Sequence, residues 1–283
     1  MKNYSLDDLK GKVCVITGGA GVIGTYLAIG LGSAGVKTVV LDINLEAAQQ
    51  TAEKVMAETG TFSMGVAASV LDKQSLAEAK TVINQEVGKI DILINGAGGN
   101  SPKATTQLEE MTRESLADLS GSFYGLQLEG FQKVFDLNFN GTLLPSMVLT
   151  PDMLEAGKGI VLNISSMNSY HPLTKIPAYS AAKAAVNNFT EWLAVHFAKT
   201  GIRVNAIAPG FFVTNQNRFL LFDEKTGEMT PRSNKIIRGT PMGRFGEAEE
   251  LVGAVLFLVS DLSSFVTGIT IPIDGGFNAY SGV

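Results

Sequence analysis

A short apolar run, Val13-Cys14-Val15-Ile16-Thr17, leads directly into Gly18-Gly19-Ala20-Gly21-Val22-Ile23-Gly24, where a helical pattern opens. No other feature constrains the fold as much. Gly19-x-Gly21-x-x-Gly24 fits a phosphate-cradling turn, because glycine permits positive φ, close backbone approach and tight helix–strand packing. The helix N-terminus beyond it offers free N–H groups and a positive dipole end to a pyrophosphate. In a chain with 31 glycines the pattern alone is weak. Its place between a strand and a helix makes it specific.

The same strand–helix rhythm continues to the C-terminus. Candidate strands are residues 13–17, 38–42, 62–67, 90–95, 159–165, 203–208 and 269–273, and helical patterns include 45–58, 74–87, 177–199 and 247–260. Continuously apolar strands indicate burial on both faces, as in a parallel sheet. The expected fold is therefore α/β, a doubly wound parallel sheet of about seven strands with helices on both faces. With no linker or internal repeat, residues 1–283 read as one domain. Segments 98–135 and 211–246 are long for connections in such a fold. The first reads as an insertion of either functional or packing role, the second as a substrate lid.

Composition narrows the function. With 22 Lys plus Arg against 27 Asp plus Glu, the net charge is −5; without a basic block, nucleic acid is not an expected partner. One cysteine, Cys14, and two histidines leave little for a disulfide or a zinc site, and no metal is expected. The polar N-terminus lacks the core of a signal peptide. The longest apolar run, 251–259, is nine residues, about half of what a bilayer needs. A cytoplasmic protein with no membrane partner is expected.

Asp42 ends the second strand, 18 residues beyond Gly24. A carboxylate there accepts hydrogen bonds from ribose hydroxyls and repels a 2′-phosphate. Ile43-Asn44-Leu45 adds no cation, so NAD is favoured over NADP; Asp42 could also cap the next helix. Tyr179 and Lys183 stand four residues apart and so share a helix face. A free phenol ionises near pH ~10; the lysine and an oxidised nicotinamide are expected to lower that value and make Tyr179 a usable acid/base. Ser166 lies 13 residues upstream, just past the fifth strand. Its hydroxyl is placed to reach the same carbonyl oxygen.

These elements resemble the short-chain dehydrogenase/reductase family over nearly the whole chain, which implies a Rossmann-like fold. Matching residues are Thr17-Gly18 with the glycine turn, Asn95-Gly96-Ala97-Gly98, Asn138, Ser166, Tyr179, Lys183, Pro209-Gly210 with Thr214, and Asp274-Gly275-Gly276. The resemblance implies a catalytic tetrad in which Tyr179 is the acid/base, Ser166 polarises the carbonyl and Asn138 anchors a relay water. Lys183 would bind the nicotinamide ribose and lower the Tyr179 pKa. The cofactor would also contact Gly18, Gly21, Val22, Ile23, Gly24, Asn95, Gly96 and Ala97, and further on Pro209, Phe212 and Thr214. Two positions depart from the family pattern: Val22 replaces the usual middle glycine, and Ser69, before Val70, replaces a common adenine-contacting Asp.

Within that family, 95–100 with Pro102-Lys103-Ala104, the long insertion, and 209–212 with Gln216-Asn217-Arg218 are similar to D-mannonate oxidoreductases, also called fructuronate reductases. That similarity implies a sugar-acid substrate, which requires a cation for its carboxylate and partners for its hydroxyls. Arg218 is the first candidate cation, ahead of Lys235 and Arg238. Asn100 and Asn168 are candidate hydroxyl contacts, beside Asn215, Gln216 and Asn217. His171 reads as structural, and Arg244 as an ion-pair or packing residue. The alternatives are a reductase of another polyol or keto-sugar acid, one of 3-oxoacyl thioesters, and a non-catalytic nucleotide sensor. The family resemblance also implies a homotetramer, assembled through residues 251–259 and the last strand.

Overall fold

β1 (Val13–Thr17) is buried along its whole length, and its side chains divide between two cores. Cys14 and Ile16 face one, Val13 and Val15 the other, because successive strand residues point to opposite faces. We describe residues 4–213, 218–223 and 225–282 of a computed structural model. The glycine turn leads into α1 (Val22–Ser33), then β2 (Lys37–Asp42), α2 (Leu45–Thr59), β3 (Ser63–Ala67), α3 (Lys73–Glu86) and β4 (Ile92–Asn95). The insertion ends in α4 (Leu128–Phe135), and after it come α5 (Gly141–Leu149), α6 (Pro151–Ala156) and β5 (Gly159–Ile164). The chain continues through α7 (Pro177–Phe197), β6 (Ile202–Pro209), α8 (Arg218–Leu221), α9 (Pro231–Arg238), α10 (Val252–Val259) and β7 (Thr270–Ile273).

The seven strands lie in the order β3-β2-β1-β4-β5-β6-β7, and every pair is parallel. This is the doubly wound sheet the sequence predicts. Helices α1, α2 and α10 cover one face through Leu27, Val55 and Leu258. Helices α3, α5 and α7 cover the other through Leu76, Leu149 and Leu193. The strand order turns back between β1 and β4, whose last residues, Thr17 and Asn95, are in register. Ligands of such sheets bind in the crevice at that point.

Four local features differ from expectation. Helix 247–260 is a 3₁₀ turn, Ala248–Leu251, followed by α10, with Glu247 and Glu250 forming a capping box at its start. Asn44, not Asp42, caps α2, its side chain accepting from Ala47 N–H at 3.1 Å. The 98–135 segment holds three short 3₁₀ turns before α4. Between α4 and α5 the helix widens into a π turn, Asp136–Asn140; such turns frequently mark functional sites. Among the described residues no helix is long and apolar enough to cross a membrane.

Candidate active site

The glycine turn is built differently from the sequence reading. Gly18 is the residue with positive φ, +63°, and a methyl group on it would stand 2.8 Å from Ala97 Cα. Gly21 has φ −69° and is the N-cap of α1, where no side chain caps the first turn. Gly24 lies so close to the turn that a Cβ would be 2.7 Å from Gly19 Cα. The turn is thus pressed against the loop after β4 and against α1 at once, and N–H groups at the start of α1 are left for an anionic ligand. A dinucleotide pyrophosphate fits that surface.

Asp42 closes the turn from the side. Its Oδ2 accepts from Ala20 N–H at 3.3 Å and its Oδ1 from Asn44 N–H at 3.2 Å. The carboxylate is therefore held between the glycine turn and the start of α2. Beneath lies Thr17, whose hydroxyl oxygen accepts from Gly96 and Ala97 N–H at 3.1 and 3.3 Å. Buried Asn95 donates to Ser146 Oγ and Asn163 Oδ1 at 3.0 and 2.9 Å, fixing the end of β4 to β5 and α5. Ser69 N–H and hydroxyl are both engaged locally, with Ser75 and Leu71. Val70 is buried and lies beside Gly141, where a Cβ would meet it at 3.0 Å.

Two of the tetrad candidates, Asn138 and Lys183, meet at Gly98. A Cβ at Gly98 would stand 2.7 Å from Asn138 Oδ1 and 3.3 Å from Lys183 Nζ. Asn138 sits in the π turn, and its carboxamide donates to Val134 and Gly99 carbonyls at 2.8 and 2.7 Å while accepting from Gly99 N–H at 3.3 Å. Lys183, 3% exposed, donates to the Ile164 carbonyl at 2.8 Å and stands 5.7 Å from the Tyr179 ring centroid. Ser166 Oγ accepts from Asn168 N–H at 3.2 Å and lies beside the Tyr179 phenol.

The electrostatics depart from expectation. Burial raises the Tyr179 pKa above its ordinary value of 10; the adjacent Ser166 hydroxyl pulls the other way. Burial also drives Lys183 down to about 8. The sequence reading has Lys183 lowering the phenol; in the protein by itself burial is the larger influence and raises it, while Lys183 turns its ammonium to the Ile164 carbonyl.

Other candidates disperse. Arg218 lines a cavity of about 370 Å³ with Val22, Tyr26, Val213, Phe222 and Phe245, and that lining includes neither Ser166 nor Tyr179. Its guanidinium stands 5.2 Å from the Phe222 ring centroid. Asn100 is exposed and donates to Thr105 Oγ1 at 3.0 Å, whereas Asn168 is buried next to Ser166. His171 Nε2 lies 3.2 Å from the Asn278 carbonyl. Arg244 forms an ion pair with Glu250, Nη2 to Oε1 2.6 Å. Pro209 ends β6 and Phe212 is buried beyond it. Thr214, Asn215, Gln216 and Asn217 lie outside the described residues.

One residue escaped the sequence reading. Asn187 Nδ2 donates to Ser169 Oγ at 2.8 Å, and its Oδ1 accepts from Ser165 Oγ, bracketing Ser166. The spacing 179, 183, 187 puts it on the same face of α7. That spacing was a readable signal.

A family model described as enoyl-(acyl carrier protein) reductase matches residues 18–278. An uncharacterized oxidoreductase of Haemophilus influenzae is similar, 50% identical over 277 residues that cover 98% of this chain and 96% of that one. Gluconate 5-dehydrogenase of Gluconobacter oxydans is 32% identical over 281 residues, 98% of each chain. Among solved structures, one from Haemophilus influenzae, provisionally called a D-mannonate oxidoreductase and holding bound NAD, has a TM-score of 0.92 at 50% identity over 98% of both chains.

Proposed function

The chain belongs to the short-chain dehydrogenase/reductase family, and from that premise we propose that it is an NAD(H)-dependent oxidoreductase of sugar acids. D-Mannonate and D-fructuronate are the first pair to consider. The observation that carries the reading is the convergence of Asn138, Lys183 and Gly98, with Ser166 beside Tyr179. The mannonate-like name and bound NAD of the Haemophilus structure support the substrate and cofactor, as does the Asp42 carboxylate beside the turn.

When bound, reduced NAD supplies a hydride to the carbonyl carbon. Ser166 holds the carbonyl oxygen through its hydroxyl, and Tyr179 donates the phenolic proton as charge develops there. A raised phenol pKa keeps that proton in place at neutral pH, which suits ketone reduction. Lys183, with its pKa near 8, passes a proton back toward Tyr179. Asn138 anchors a water on this path. The start of α1, with Gly18, Gly21, Val22, Ile23 and Gly24, holds the pyrophosphate, Asp42 the adenosine ribose, and Asn95 to Ala97 the floor beneath it. Ser69 and Val70 border the adenine; Pro209, Phe212 and Thr214 take the nicotinamide end. Segment 211–246 covers the substrate, and Asn100 and Asn168 contact its hydroxyls.

A gluconate 5-dehydrogenase-like activity is the second reading, favoured by the Gluconobacter relative. Loss of NADH absorbance with D-fructuronate, beside 5-ketogluconate and an acetoacetyl thioester, separates the two. Turnover confined to 5-ketogluconate overturns the first reading; turnover of the thioester alone overturns both. We further propose a homotetramer, supported by Trp192, Val195 and Phe265, which are apolar yet exposed. A solution mass other than four times 29.9 kDa contradicts it.

A further inference from the structure

Beyond Gly98 and Asn100, the insertion at 98–135 takes no part in the chemistry above, yet it joins two other segments at one point. Thr106 N–H donates to the Lys175 carbonyl at 3.0 Å, and Lys175 precedes Tyr179 by four residues. Gln107 and Leu108 N–H both donate to the Gly121 carbonyl, at 2.8 and 3.1 Å, which closes a loop just before Glu109. The Glu109 carboxylate meets Lys235 Nζ of α9 at 2.5 Å. Lys175 and Arg232 also act on its charge, and Glu110 acts on Lys235. One exposed carboxylate thus faces cations from the segment leading into α7 and from α9.

Helix α9 is eight residues long and buries only Ser233 and Ile236. A helix this short is marginal without outside support, so its placement depends on contacts such as this one. We propose that Glu109 is a positioning residue: by drawing Lys235 toward the insertion it fixes α9 over the substrate cleft. This rests on the reading of 211–246 as the substrate cover. Its effect falls on substrate affinity, because neither Glu109 nor Lys235 reaches the tetrad. The pair is exposed, which limits the effect to about two- to five-fold and makes it sensitive to salt.

Hydrogen exchange of residues 231–238 in the free protein, paired with steady-state kinetics, tests this. Glu109→Gln and Lys235→Gln should each speed α9 exchange about two- to five-fold. Each should raise KM for the sugar acid by a similar factor while kcat and NADH affinity hold. The double variant Glu109→Lys, Lys235→Glu should restore both, and high salt should erase the difference between wild type and the single variants. Unchanged α9 exchange in the single variants, an unchanged KM despite faster exchange, or no rescue by the charge swap overturns the positioning role. Wild-type protein that turns over no sugar acid overturns the functional reading instead, and with it the cleft role, whatever α9 exchange shows.

Discussion

Lys183 donates its ammonium to the Ile164 carbonyl at 2.8 Å, so the β5 backbone, not a carboxylate, is the partner of this buried cation. Burial alone therefore governs its protonation, with a pKa near 8 in the folded protein.

The consequence for stability has a definite sign. Below pH 8 the folded and unfolded chains both hold the lysine proton; between about 8 and the unfolded value near 10.5 only the unfolded chain does. Stability from this group therefore rises with pH across that window. Relative to Lys183→Met, wild type should gain on the order of 3 kcal/mol at most between pH 7 and 10.5. Denaturant titrations of both proteins read this; parallel pH curves would show that burial does not depress this lysine. The variant should have lost turnover.

Tyr179→Phe keeps the ring and removes the proton. We expect kcat to fall by about 10²–10⁴-fold, with NADH binding, followed by its fluorescence, roughly unchanged. In wild type, the raised phenol pKa should make oxidation faster as pH rises and reduction faster as it falls. A variant with near-normal kcat removes Tyr179 from the role of acid.

Gly98→Ala would push a methyl against Asn138 Oδ1 and Lys183 Nζ. Overpacking of this kind costs about 1–3 kcal/mol, and displacing either group should lower kcat on the order of 10²-fold. Melting and steady-state rates measured together check it. Wild-type kcat in a folded variant means that the site tolerates the shift.

Asp42→Asn keeps a side-chain oxygen for Ala20 N–H but removes the charge. If the carboxylate repels a 2′-phosphate, the variant should shift the NADPH-to-NADH preference by about ten-fold or more. Dissociation constants for both cofactors decide; an unchanged ratio leaves NAD selection to other groups.

The legible part of this chain is the part carried by local spacing. The turn after β1, Asp42 at the end of β2, and Tyr179 with Lys183 on α7 all stand where periodicity and short-range pattern put them. Residues whose meaning depends on distant partners were harder to read. Gly18, not its neighbours, takes positive φ, and Ala97 of a different loop leaves no room for a side chain there. Arg218 reads as a carboxylate ligand from its sequence neighbours, and only the fold shows that it lines a cavity with Val22 and Tyr26. The Tyr179 pKa rises because desolvation, a property of the whole surround, exceeds the effect of the Ser166 hydroxyl beside it.

The π turn at Asp136–Asn140 carries a cost for any future change in chain length. Its wider ring accommodates one residue more than an α-helical turn, so α4 and α5 are joined out of phase by about 100°. Removing a single residue there would heal the helix into regular geometry and strengthen it locally. The repair would also swing Asn138 away from Gly99 and Lys183. The irregularity is in effect a one-residue insertion that the chain can lose only together with the position of Asn138.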